Sequence, residues 1–230
     1  MINFIENSLF FGAALSLAGY EVGLLLKKKF KMALFNPLLI AILCVMGMLQ
    51  LMQVDYKTYN AGGQYISYLL TPATVCLAVP LYRQLTLLRK NLKAVVIGIV
   101  SGVLASMVSV LIFAKLFGLS HSEYVTLLPK SITTATGLGV SEELGGVVTI
   151  SVAVIVITGV LGNVISDLVC KLFRLEEPVA KGLALGTAAH AIGTAKAMEL
   201  GEIEGAMSSL AIAVAGLLTV VTSSVFASLM

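Results

Sequence analysis

Long stretches without a charged residue alternate with short charged segments along this chain. Five uncharged stretches cover residues 32–54, 58–82, 94–114, 146–166 and 205–230. An α-helix needs about 20 apolar residues to cross the hydrocarbon core of a bilayer, and each stretch is close to that length. None shows the period-two alternation of a membrane β-strand. The pattern therefore predicts transmembrane helices, with a further one over residues 4–26 that carries Glu21.

The composition supports a membrane protein. Apolar residues make up 58% of the 230 positions, the mean hydropathy is +1.01, and only 12% of the residues are charged. Soluble domains carry about 25% charged residues, so water would meet more apolar surface here than one core can hide. The first residues lack a basic segment and contain Glu6, so we expect no cleaved signal peptide.

Few residues suggest a cofactor, a metal or catalysis. Cys44, Cys76 and Cys170 lie in separate apolar stretches without metal-ligand spacing, and the net charge of +3 is too small to indicate nucleic acid. We find no nucleophile–base set, P-loop or dinucleotide fingerprint. Ser131 follows Lys130 directly, and adjacent residues on a helix do not face each other. We therefore expect no enzymatic activity, no cofactor and no metal site.

Basic residues predict the orientation in the membrane. They form two clusters, one of Lys27, Lys28, Lys29 and Lys31 and one of Arg83, Arg89, Lys90 and Lys93. By the positive-inside rule both clusters are cytoplasmic, so the first helix runs inward and the helix that starts near residue 94 runs outward.

The second half of the chain contains an internal repeat. We treat residues 1–230 as one transmembrane domain, with N-terminal helices over 1–120 and repeated units over 121–174 and 178–230. A shift of 56 positions lays Ala135 on Ala191, Gly137 on Gly193, and the sequence Glu-Leu-Gly at 143–145 on the same sequence at 199–201. Each unit is an interrupted apolar segment followed by a clean helix.

The direction of the two interrupted segments stays open at this point. If the linker with Lys171, Arg174 and Lys181 is cytoplasmic, the first segment enters from outside and the second from inside, as in the inverted repeats of secondary transporters. The alternative is that both segments cross the bilayer as broken helices. We predict an all-α integral membrane protein, a polytopic helical bundle with broken or re-entrant helices and an internal inverted repeat.

Polar residues, proline and glycine interrupt the apolar pattern at residues 70–74, 128–134 and 186–196. Proline and glycine break helices, and a break at membrane depth is tolerated only where protein or a water-filled cavity covers the freed backbone groups. The helix ends at such a break offer free N–H groups with positive dipole character. They are suited to an anion.

Candidate substrate-binding residues follow from these breaks. Lys130 and His190 lead, because ionisable groups inside a membrane are costly and usually functional. The other candidates are Thr71, Pro72, Thr74, Ser131, Thr133, Thr134, Thr187, Gly193 and Thr194. The alternatives are interhelical hydrogen bonding by the hydroxyls, packing by the histidine, and a lysine that reaches the interface. Gly98, Gly102 and Ala211 are predicted to be close-packing positions.

Three blocks at these interruptions resemble the LrgB/CidB family of bacterial membrane proteins, which is related to the plastidal glycolate/glycerate translocator. They are LLTPATVCLAVPLY (69–82), LLPKSITTATG (127–137) and KGLALGTAAHAIGTAKAMELGEIEGAMSSLA (181–211). Ala189 departs from the serine that more often precedes the histidine, which places a hydroxyl contact there in doubt. The resemblance covers essentially the whole chain.

The resemblance implies two functions. Some members are linked to transport of small carboxylates such as pyruvate, glycolate or glycerate. Others are described as holin- or antiholin-like partners of a small LrgA/CidA-type membrane protein that affect murein hydrolase activity and cell lysis. The buried cation and the repeated breaks favour a monocarboxylate transporter that acts with such a partner, with the lysis regulator as the alternative. We expect a homo-oligomeric, multi-pass protein of the bacterial cytoplasmic membrane.

Overall fold

The computed structural model describes Ser8, residues 10–30 and residues 35–230, apart from the side chains of Leu70 and Thr74. The described residues form helices and no strands, as predicted. They divide into two compact units, Met1–Cys76 and Leu77–Met230.

The Met1–Cys76 unit contains four helices among its described residues: α1 (Phe11–Phe30), α2 (Pro37–Met52), α3 (Tyr56–Ser67) and α4 (Leu70–Cys76). Helix α1 packs closely on its neighbours because it lacks side chains at Gly12, next to the backbone of Tyr59, and at Gly23, next to the backbone of Pro37. The helix that the sequence predicted over residues 4–26 ends later than expected, at Phe30. Its first predicted residues lie outside the described part of the chain.

The apolar stretch 58–82 is divided into short helices, with a break just before the interruption that the sequence placed at residues 70–74. Helix α3 ends at Ser67, α4 follows, and α5 covers Ala78–Arg83. Pro72 and Pro80 are each the third residue of a short helix. Proline is tolerated in the first turn, where its missing N–H has no helical partner, but it blocks continuation of a preceding helix. The prolines therefore set where the new helices begin.

Three long helices of the Leu77–Met230 unit are apolar enough to span a membrane. After the short α6 (Leu85–Lys90), they are α7 (Leu92–Phe117), α10 (Val148–Leu172) and α12 (Glu202–Ala227). The stretch Tyr56–Arg83 is the fourth candidate span among the described residues. Helix α2 is apolar but has only 16 residues, fewer than the about 20 of a straight crossing.

The first interrupted segment is a re-entrant hairpin, which we call the first hairpin. It consists of α8 (His121–Leu127), a turn over 128–133 and α9 (Thr134–Glu143). Its two ends lie together: Ser122 Oγ donates to the carbonyl of Gly145 at 3.2 Å, and the Val147 amide donates to Thr126 Oγ1 at 2.7 Å. The chain therefore enters and returns at the same end.

The second interrupted segment also reverses, and we call α11 (Pro178–Leu200) the second hairpin. Its helical geometry fails at Ala189 (φ −125°, ψ 16°) and His190 (φ 41°, ψ −132°). After this break Gly193 lies against the carbonyl oxygen of Leu185. At the open end, Lys181 and Leu200 line one pocket, although a continuous helix would separate them by about 28 Å.

The two hairpins point in opposite directions along α10. The first opens beside the N-terminal end of this helix, where Ser151 Oγ donates to the carbonyl of Thr126. The second opens at its C-terminal end, and its tip reaches back to Ile155, whose carbonyl bonds His190. Of the two arrangements that the sequence left open, the contacts match the inverted, re-entrant one.

Candidate functional site

A cavity of about 1280 Å³ lies in the Leu77–Met230 unit. Its walls are α7, the first half of the second hairpin, one face of α10, and the tip of the first hairpin. Gly98, Gly102 and Ala105 leave room on the α7 wall, so the predicted close-packing positions also border this space. Each of the four walls contributes polar residues to the lining.

Lys130 and Ser131 bring a charged group to the cavity from the tip of the first hairpin. Lys130 Nζ donates to Ser131 Oγ at 3.0 Å, and Ser131 Oγ lies 3.2 Å from Ser106 Oγ of α7. The turn holds them in place, since the Lys130 amide donates to the carbonyl of Leu127. No carboxylate of the described residues lies within 4.0 Å of Lys130. An ammonium group has three donors, so two remain for a ligand or water.

Thr187 lies on the opposite wall of the cavity, and its hydroxyl oxygen is buried beneath the surface. It is 7% exposed, and its Oγ1 is the one buried side-chain polar atom without a hydrogen-bond partner among the described residues. Its methyl group faces Gly102, which precedes Ser106 by four residues on α7. Four helical residues rise about 6 Å. Thr187 therefore lies about one helical turn from the Lys130 cluster, a separation that suits a molecule of a few carbon atoms.

His190 lies at the tip of the second hairpin and faces α10. Its Nε2 donates to the carbonyl of Ile155 at 3.0 Å, and only 3% of the residue is exposed. Thr194 Oγ1 donates to the carbonyl of His190 at 3.0 Å and lies 2.7 Å from Ser208 Oγ. His190, Gly193 and Thr194 do not belong to the set of described residues that line the cavity. These three residues hold the broken backbone of the tip.

The second half of the second hairpin is fastened to α10 by polar contacts. Asn163 Nδ2 donates to the carbonyl of Ile192 at 3.1 Å, and Lys196 forms an ion pair with Asp167 at 3.0 Å. Asn163 and Asp167 are four residues apart and therefore share one face of α10. The pair therefore positions this half of the hairpin.

The remaining sequence candidates lie elsewhere. Thr133 occupies the N-cap position of α9 without a capping hydrogen bond from its side chain, and its Oγ1 lies 3.0 Å from Thr136 Oγ1. Thr134 is the first residue of that helix and is half-buried. Thr71 and Pro72 are exposed residues of the Met1–Cys76 unit. The side chain of Thr74 lies outside the described part. Substrate contact by these residues stays a prediction.

Sequence reasoning missed the polar residues of the other walls, above all Ser106, and also Ser101, Ser109, Thr158 and Glu177. One signal was available. Gly98, Gly102 and Ser106 recur at intervals of four, which places them on one face of α7. The serine at the end of this series marks where a packing face becomes a polar one.

The cavity extends to the basic end of the unit, and a buried cluster fills the other end. Along α7 it extends from Asn91, beside Lys90 and Lys93, to Ser109, a rise of about 27 Å. Beyond Ser109 a buried cluster that includes Val110, Tyr124 and Leu128 fills the space. The hydroxyl of Tyr124 donates to the carbonyl of Phe226 at 2.9 Å across this cluster. By the positive-inside rule we expect this basic end to lie at the cytoplasmic side.

The chemistry of this arrangement suits a small anion. A lysine with free donors, two serine hydroxyls and an unpartnered threonine hydroxyl can bind carboxylate and alcohol or carbonyl oxygens. Within the part of the chain that the structure describes, no group of three histidine, cysteine or acidic residues could hold a metal ion.

Comparison with known proteins supports the resemblance seen in the sequence. The profile of the LrgB-like family matches residues 16–229. Relatives in Bacillus mycoides (strain KBAB4), Bacillus cereus (strain B4264) and Bacillus anthracis (strain CDC 684 / NRRL 3495) are each named antiholin-like protein LrgB. Each is 40% identical over 94% of this chain and 95% of its own length. No solved structure matches this chain.

These matches agree with the helical architecture. The matched family is not a known enzyme family. Together with the four apolar helices, the bacterial relatives identify the chain as a multi-pass bacterial membrane protein.

Proposed function

This chain belongs to the LrgB-like family, and we propose that it carries small monocarboxylates such as pyruvate or glycolate across the membrane. The observation that carries this proposal is the position of Lys130. Its ammonium group lies at the wall of a large cavity, without a carboxylate partner among the described residues. A half-buried cation without a counter-ion is less well solvated than an exposed one, and a substrate carboxylate would neutralise it.

The surrounding hydroxyl groups support a short substrate. A carboxylate beside Lys130 and Ser131 leaves Thr187 about one helical turn away, within reach of an oxygen on the next carbon atom. Thr187 Oγ1 is buried and lacks a partner, so in this proposal its side chain turns toward the cavity and bonds such an oxygen. In this proposal His190, Gly193 and Thr194 hold the broken backbone at the tip of the second hairpin and do not contact the substrate.

The inverted hairpins support alternating access. Transporters with inverted repeats expose a central site to each side in turn as one part of the bundle moves against the other. Here the cavity extends to the basic end, and the Tyr124 cluster fills the other end. We further propose that the chain acts with an LrgA/CidA-type membrane protein and forms a homo-oligomer.

Uptake of labelled pyruvate and glycolate into proteoliposomes tests the carrier. Hydrogen bonds to charged groups contribute about 1.5–3 kcal/mol, so Lys130→Gln is expected to reduce uptake at low substrate by at least about tenfold. Lys115→Gln, at an exposed lysine of α7, is the matched control and is expected to transport normally. The proposal is abandoned if the wild-type chain with its partner shows no uptake under a pH gradient of either direction.

The second candidate is an antiholin-like regulator of murein hydrolase activity and cell lysis without transport of its own. The relatives are named antiholin-like proteins, and these names favour this candidate more directly than they favour transport. Lys130→Gln distinguishes the two in a lysis assay in cells. A regulator that only assembles with partners is expected to keep its effect on lysis in this variant, whereas an effect that depends on carboxylate flux is lost together with uptake.

A further inference from the structure

A second cavity, of about 440 Å³, lies at the open end of the second hairpin. Lys171 and Arg174 reach it from the end of α10, and Lys181 reaches it from the first turn of α11. Leu200, from the end of the returning half, closes another side. Three cationic side chains from two helices therefore converge on one concave surface, separate from the cavity beside Lys130.

The charges around this second cavity are not balanced. Asp167 lines it, but its carboxylate is bound by Lys196 at 3.0 Å. Glu176 is the other acidic residue in the lining. Among the described residues, no carboxylate oxygen lies within 4.0 Å of Lys171, Arg174 or Lys181. An anion with several oxygen atoms would meet three unpaired cations at this place.

The backbone at Arg174, one of the three cationic residues, adopts an unusual conformation. Its φ angle is 51°, in the left-handed region where glycine is the usual residue at the end of a helix. The Leu175 amide donates to the carbonyl of Cys170 at 2.8 Å and closes α10 around this residue. The Cβ atom of any residue other than glycine costs stability at such a position, so the choice of arginine here points to a role beyond ending the helix.

The same end of α10 also presents apolar side chains outward. Leu168 is 67% exposed, Leu172 73% and Phe173 68%. On a membrane-spanning helix these side chains face lipid tails, directly beside the basic pocket. A ligand with a phosphate and acyl chains matches both surfaces, whereas a free anion would match only the pocket. By the positive-inside rule we expect the basic end of the unit to face the cytoplasm, where clustered lysine and arginine residues attract anionic lipids.

We propose that this pocket binds the phosphate of an anionic phospholipid of the cytoplasmic leaflet. The headgroup lies between Lys171, Arg174 and Lys181, and its acyl chains follow the apolar face of α10. The lipid thereby links the end of α10 to the start of α11. This proposal is independent of the carrier function, because it involves neither the large cavity nor Lys130.

The test uses the full chain purified and reconstituted in phosphatidylcholine, with or without phosphatidylglycerol. Native mass spectrometry counts the phosphatidylglycerol that stays bound, and thermal unfolding reports its effect on stability. The wild-type chain is expected to retain phosphatidylglycerol over phosphatidylcholine by several-fold and to unfold at a higher temperature with it. The triple variant Lys171→Gln, Arg174→Gly, Lys181→Gln is expected to lose both effects.

Two controls keep the result specific. Lys115→Gln removes a lysine at the other end of the unit and is expected to bind lipid as the wild type does. Arg174→Gly alone suits the left-handed backbone, so it folds at least as well as the wild type and still loses part of the preference. Equal retention of phosphatidylglycerol by the wild type and the triple variant overturns the proposal. So does inorganic phosphate that reproduces the stabilisation in phosphatidylcholine, which would identify a site for the free anion.

Discussion

His190 lies directly against Gly159, and the absence of a side chain at this glycine makes the contact possible. A Cβ atom at position 159 would lie 2.7 Å from Cε1 and 2.8 Å from Nε2 of the imidazole. The ring bonds the carbonyl of Ile155, one turn earlier on the same helix. The break in the second hairpin is thus fitted to a slot on α10, and its position depends on a residue 31 places earlier in the chain.

The first prediction concerns this slot. Gly159→Ala is expected to force the imidazole away from α10 and to lower the free energy of unfolding by about 1–3 kcal/mol, the usual cost of overpacking. Thermal unfolding in detergent measures the loss. Gly216→Ala is the matched control, because a Cβ there meets no atom within 4 Å, so it is expected to be neutral or slightly stabilising. Identical unfolding of the Gly159 variant and the wild type would show that the slot is not closely packed.

A second prediction separates binding from stability at Thr187. Thr187→Val keeps the shape of the side chain and removes a buried hydroxyl that has no partner. The free energy of unfolding is therefore expected to stay the same or rise, while the affinity for a 2-oxo or 2-hydroxy acid falls by up to about tenfold, as expected for one hydrogen bond of about 1 kcal/mol. Substrate-dependent thermal shifts measure both quantities.

Thr194→Val is the matched control for that experiment. Thr194 Oγ1 makes two hydrogen bonds, to the carbonyl of His190 and to Ser208 Oγ. Its loss leaves buried partners unpaired, so this variant is expected to be destabilised by about 1–3 kcal/mol. If Thr187→Val is destabilised to the same extent, its hydroxyl has a structural role and the proposed contact with substrate is wrong.

The third prediction concerns the closed end of the cavity. Tyr124→Phe removes the hydrogen bond to Phe226 that spans the buried cluster, a loss of about 1 kcal/mol. If this cluster opens during transport, its weakening shifts the population toward an outward-open form. Ser109→Cys, in a chain with Cys44, Cys76 and Cys170 replaced by serine, reports the shift through its reaction with an impermeant reagent added outside.

Faster labelling of that cysteine in the Tyr124→Phe chain than in the otherwise identical chain with Tyr124 is the expected result. Carboxylate substrate should change both rates if the cavity is on the transport path. Equal rates from the outside in the two chains, with or without substrate, would mean that the cluster is a fixed part of the fold and not a gate.

The sequence predicted much of this fold because membrane helices are a local property. The apolar stretches that became α7, α10 and α12 were long and uncharged, and the breaks at Pro129 and around His190 followed from local residues. The walls of the cavity are a tertiary property. Nothing near Thr187 in the sequence indicates that Gly102 faces it, and no spacing indicates that Gly159 turns His190 toward α10. Lys130 was the leading candidate because charge inside a membrane segment is itself a signal, and its contact with substrate stays a prediction.

The last prediction concerns pH at the start of the first hairpin. Ser120 and Glu123 form a capping box in which Ser120 Oγ and the Ser120 amide both donate to the carboxylate, at 2.7 and 2.8 Å. These hydrogen bonds lower the pKa of Glu123 from its ordinary value of 4.5. Because the folded pKa is the lower one, the stabilisation is complete above the unfolded pKa and is lost as the pH falls through the folded pKa. The unfolding temperature of the wild type is therefore expected to exceed that of Glu123→Gln at neutral pH and to approach it in acid. A difference between the two chains that is constant across this range would show that the carboxylate charge does not stabilise the cap.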